Sequence, residues 1–63
     1  MKRSALVKHL EENGCYLLRE GGNHAIYVNP KNRKQTAVGR HQELDNILCK
    51  KICKQLEIPI INK

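Results

Sequence analysis

Residues 15–28 read Cys-Tyr-Leu-Leu-Arg-Glu-Gly-Gly-Asn-His-Ala-Ile-Tyr-Val. Two short runs rich in aliphatic, β-branched and aromatic side chains are split by a glycine pair, and that pattern predicts a β-hairpin. The first strand is expected over Cys15–Arg19, the connection over Glu20-Gly21-Gly22-Asn23 and the second strand over Ala25–Val28. Downstream, Asn29-Pro30-Lys31-Asn32-Arg33 is turn chemistry, with proline fixing φ and asparagine tolerating the left-handed region. It leads into a third strand, Gln35–Val38, which Gly39 stops.

Helices flank this meander. Upstream, Ser4 is a candidate N-cap, and Leu6, Val7 and Leu10 fall within about 100° on a helical wheel, opposite Lys8, Glu11 and Glu12. Asn13-Gly14 ends that helix. Downstream, after the polar stretch Arg40–Glu43, Asp45 or Asn46 can cap a second helix. In it Cys49, Ile52, Cys53 and Leu56 recur at the spacing of one helix face, while Lys50, Lys51 and Lys54 point nearly the opposite way. Pro59 closes it, and Ile60–Lys63 reads as a frayed tail. The expected fold is α+β in the order α-β-β-β-α: a three-stranded antiparallel sheet with two helices on one face, as one domain over residues 1–63. Which alternation on the second strand lines the core, Ala25/Tyr27 or Ile26/Val28, is left open by the sequence.

Composition narrows function. Twelve Lys and Arg against six Asp and Glu give a formal net charge of +6 on 63 residues. A surplus that dense favours a polyanionic partner: nucleic acid, an anionic membrane or an acidic protein. No apolar run approaches the roughly 20 residues of a membrane span, and Met1–His9 turns polar too early for a signal peptide, so a soluble cytoplasmic protein is expected. Three cysteines, Cys15, Cys49 and Cys53, are an odd number and few for a secreted disulfide framework; reduced, buried thiols are expected.

Candidate chemistry runs through the histidines, whose unperturbed titration lies nearest neutrality. His9 reads as a solvated residue at the margin of the first helix. His24 follows Gly21-Gly22-Asn23 and opens the second strand, where bare backbone lets a phosphate approach; the alternative is a strand-edge histidine packed on Ile26. Arg40-His41 at the end of the third strand is a candidate phosphate contact. Cys49-x-x-x-Cys53 has a spacing zinc can use, but both thiols sit in the apolar stripe, and no metal or cofactor is expected. No phosphate-binding glycine loop of the nucleotide-hydrolase type and no paired catalytic carboxylates are present in the sequence. Basic residues form two groups, Lys31, Arg33, Lys34 and Arg40 around the third strand and Lys50, Lys51 and Lys54 on the second helix, either solvated or in contact with phosphates. With Tyr16 and Tyr27 its only aromatic residues, the chain has little with which to stack bases.

A short helix ending at Asn13-Gly14, then Tyr16, Arg19, Gly22-Asn23-His24, Ile26-Tyr27, Arg40-His41 and Cys49-Lys-Lys-Ile-Cys-Lys-Gln-Leu56 together resemble the HicA family of bacterial toxins, from Lys2 to about Ile58. The resemblance implies a double-stranded-RNA-binding-domain-like fold and a metal-independent endoribonuclease acting on mRNA, held inactive by a HicB-like antitoxin. The family's catalytic histidine carries over onto His24. Arg19, Asn23, Lys31, Arg33, Lys34, Arg40, His41, Lys50, Lys51 and Lys54 are the expected RNA contacts. Two positions depart from the family pattern: Asn23 stands where Ser or Thr is common, and Gly39 where Pro is common. A non-catalytic RNA-binding module using the same basic surface is the alternative.

Overall fold

The structure is a computed structural model that describes residues 1–61, running α1 (Arg3–Glu12), β1 (Tyr16–Gly21), β2 (His24–Asn29), β3 (Lys34–Gly39) and α2 (Asn46–Leu56). The strands form an antiparallel meander, β1-β2-β3, with β2 in the middle. The expected element order and sheet are therefore present, and the core assigns the faces. Ala25 and Tyr27 of β2 and Val38 of β3 join Leu6 and Leu10 of α1 and Cys49, Ile52, Cys53 and Leu56 of α2 in one buried cluster. Both helices thus cover one side of the sheet. Because side chains alternate along a strand, His24, Ile26 and Val28 belong to the other side. Val28 is only 6% exposed there, beside its register partners Tyr16 and Gln35, and stands outside the core cluster.

Several boundaries move for identifiable reasons. Ser4 does not cap α1; it lies inside a helix whose N-cap is Lys2, without a side-chain cap bond. The start is held by tertiary pairing instead. Lys2 bridges to Glu43, and the Arg3 amide donates to the Gln42 carbonyl at 2.7 Å. Cys15 is not a strand residue: its amide donates back to the Leu10 carbonyl at 2.9 Å, closing α1 behind Gly14 (φ +86°), and its side chain enters the core. β1 carries a bulge between Leu17 and Arg19.

The turn after β2 does more than reverse the chain. Buried Asn29 donates from Nδ2 to the Leu56 carbonyl at 2.7 Å, and Asn32 donates to the same oxygen at 3.1 Å. Two asparagines thereby satisfy a carbonyl left without an intrahelical partner at the end of α2. The left-handed residue of this turn is Arg33 (φ 62°) rather than an asparagine. Asp45 caps α2, its Oδ1 accepting from the Ile47 amide at 2.9 Å. The helix stops at Leu56 because Glu57 turns left-handed (φ 56°), two residues before the Pro59 expected to end it.

His9 is not simply solvated: its Nε2 lies 2.6 Å from the Pro59 carbonyl, tying α1 to the segment after α2. Within the expected frayed tail, Ile61 packs against the core; Asn62 and Lys63 lie outside the described residues. Cys15, Cys49 and Cys53 are free and buried. Among the described residues no helix is long and apolar enough to cross a membrane.

Candidate functional site

The β1–β2 connection is a two-residue turn, Gly22-Asn23, with positive φ (46°) at its first position. That is the pattern of a turn whose twist matches the flanking strands, and glycine serves it without a Cβ penalty. The turn sets the register in which His24 pairs with Gly21 on one side and Gly39 on the other. His24 thus stands, exposed, on the side of the sheet away from the helices, with no side chain at either directly opposed position. A Cβ at Gly21 would meet nothing within 4 Å, and one at Gly39 would meet only His41 Cδ2, at 4.0 Å. The imidazole is open to a ligand from both flanks.

Around it lies a shallow recess lined by Asn23, His24, Gly39, Arg40 and His41. Arg40 makes an ion pair with Glu20 at 3.6 Å, with both side chains about half exposed. A pair so exposed is worth only about 0–1 kcal/mol, so an incoming phosphate can compete for the guanidinium. Arg19 pairs in register with Ile26, on the same side of the sheet as His24.

The remaining candidates are elsewhere. Lys31, Arg33 and Lys34 lie at the opposite end of β2, about 17 Å from His24 at the usual strand rise. Lys50, Lys51 and Lys54 are exposed on the outer side of α2, the opposite surface of a two-layer molecule from that of His24. The basic groups seen in the sequence are thus three separate patches, and of the expected RNA contacts Arg40, His41 and Asn23 line the recess with His24.

One contributor lies far away in sequence. Arg3 donates from Nε to the Gly39 carbonyl at 2.7 Å, anchoring the end of β3 to α1. The Gly39 position, where a proline would have stiffened the chain, is fixed by this contact. Nothing in the sequence marks Arg3 apart from its being a basic residue at a helix start. The paired glycines flanking His24 were present in the sequence but emerge as a feature only in the register.

The thiols belong to the core. Burial pushes Cys15 and Cys49 above the ordinary thiol range, and the charge of Cys53 adds to this at both; at Cys49 the chain's amino terminus pulls the other way and Asp45 pushes further up. Among the described residues no three of His, Cys, Asp and Glu gather as a metal site. The family model described as the HicA toxin of bacterial toxin–antitoxin systems matches residues 3–58, while no curated protein and no solved structure matches the chain. The match takes in both helices, all three strands and every residue of the recess, so the chain belongs to the HicA toxin family, whose members act with an antitoxin partner.

Proposed function

We propose that this toxin is an endoribonuclease acting on mRNA, with His24 as its general acid–base and with a HicB-like antitoxin as its inhibitor. The observation that carries the reading is the setting of His24: exposed, flanked in register by Gly21 and Gly39, and sharing a recess with Arg40 and His41. Nδ1 or Nε2 of His24 takes the proton from a ribose 2′-OH, whose oxygen attacks the adjacent phosphorus. The P–O5′ bond breaks with its electron pair going to the 5′ oxygen, which takes a proton back from the protonated imidazole or from water, leaving a 2′,3′-cyclic phosphate and a 5′-OH on the departing strand. Arg40 and Asn23 line the same recess as His24, which supports a role for the guanidinium in balancing charge on the phosphoryl oxygens and for the Asn23 amide in donating to one of them. The reaction draws on no metal, so chelator should leave the rate unchanged.

Imidazole acid–base catalysis contributes typically 10²- to 10⁴-fold. His24→Ala should lower cleavage of a single-stranded RNA by about that factor while RNA affinity holds within a few-fold. A 2′-deoxy nucleotide at the scissile position should block cleavage altogether. Undiminished cleavage by a folded His24→Ala protein would remove His24 from the mechanism. RNA affinity without cleavage products from the unsubstituted protein would make this a binding module instead.

A further inference from the structure

α2 carries two stripes. Cys49, Ile52, Cys53 and Leu56 form the buried one, and Ile47, Lys50, Lys51 and Lys54 repeat the same spacing two residues earlier, about 200° round the helix. Ile60, returned by the segment that His9 ties down at Pro59, closes this second stripe into a shallow groove. Ile47 is 64% exposed and Ile60 39%, and the remaining lining among the described residues is lysine, with no carboxylate.

We propose that this groove docks an acidic segment of the antitoxin that also carries apolar side chains. The inference rests on the toxin–antitoxin reading and adds the surface and the chemistry of the partner's segment. Among the described residues no carboxylate pairs with these three ammonium groups, which call for negative charge, and the isoleucines beside them call for aliphatic contact. A second copy of this chain fits poorly, since an isologous pairing would set lysine against lysine. Phosphate backbone would engage the lysines but leave Ile47 and Ile60 unmatched. The groove also lies on the opposite surface from His24, so anchoring here is separable from covering the recess.

Two probes test this. The first is a synthetic acidic peptide carrying glutamates and leucines, compared with a peptide of equal charge in which every leucine is serine. The leucine peptide should bind about tenfold more tightly, with amide shifts centred on residues 47–54 rather than 31–34 or 39–41, and Ile47→Asp should erase the difference. Equal affinity of the two peptides, or shifts centred elsewhere, would overturn the proposal.

The second probe is the antitoxin co-expressed from its native gene pair. Ile47→Asp should weaken its binding about tenfold while RNA cleavage by the free toxin is unchanged. Antitoxin affinity within twofold of the unsubstituted toxin would overturn the docking assignment, as would a loss of RNA binding in its place. A toxin that cleaves no RNA would instead count against the ribonuclease reading, with the binding result intact.

Discussion

At His24 the sequence carried the residue but not its orientation. A glycine-rich turn followed by a histidine pointed to the position, yet β2 is apolar on both alternations, since Val28 is buried on the side away from the helices. Parity was therefore masked until the cluster of Ala25, Tyr27 and Val38 under both helices assigned the core side. Arg3 could not be read at all, because its role depends on a contact across 36 positions of chain. That contact makes Arg3 a positioning residue for the recess. Arg3→Ala leaves the Gly39 carbonyl without its charged donor, a change worth about 1.5–3 kcal/mol. A smaller kcat at nearly unchanged KM is expected at temperatures where the variant stays folded, with partial recovery in Arg3→Lys. Stability loss with unchanged kcat would reduce Arg3 to a structural anchor.

Among the elements, those marked by local signals were legible and those made by tertiary contacts were not. The α2 stripe depends on spacing alone and stands as read, and of the two candidate caps, Asp45 and Asn46, it is Asp45 whose side chain makes the cap bond. The start of α1 is set by pairing with Gln42 and Glu43, so a local search for a capping side chain lands on Ser4, two residues too late. The end of α2 likewise depends on Asn29 and Asn32, residues whose turn propensity was evident and whose reach to Leu56 was not. The Asp45 cap gives an element-scale prediction. Asp45→Ala should destabilise the domain by about 1 kcal/mol, lowering its melting temperature by roughly 4–8 °C in a domain this small. Asp45→Asn, which keeps the acceptor, should recover most of that loss. Equal melting temperatures for the Ala variant and the unsubstituted protein would mean that the 2.9 Å bond to Ile47 contributes nothing in solution.

For the whole molecule, the composition of the core sets how stability depends on pH. A small domain buries little apolar surface, so terms of about 1 kcal/mol matter. This core spends three of its positions on thiols, and burial raises Cys15 and Cys49 above their ordinary value of 9.0. Below that value the thiols are protonated in the folded and unfolded chains alike and their titration adds no pH dependence. As pH rises past it, the unfolded chain releases these protons first while the folded core retains them. The unfolded state is then favoured, by up to about 1.4 kcal/mol per pH unit for each thiol, until the folded protein also begins to ionise. Denaturant midpoints should therefore be flat with respect to these groups between pH 7 and 8.5 and fall between pH 9 and 10. Lysines and tyrosines titrate in the same window, so the difference between proteins is the measurement that isolates the thiols. A Cys15→Ala/Cys49→Ala variant, with its core kept apolar, starts from lower stability at pH 7 but should lose less between pH 9 and 10. Parallel declines in the two proteins would show that neither thiol contributes to alkaline unfolding.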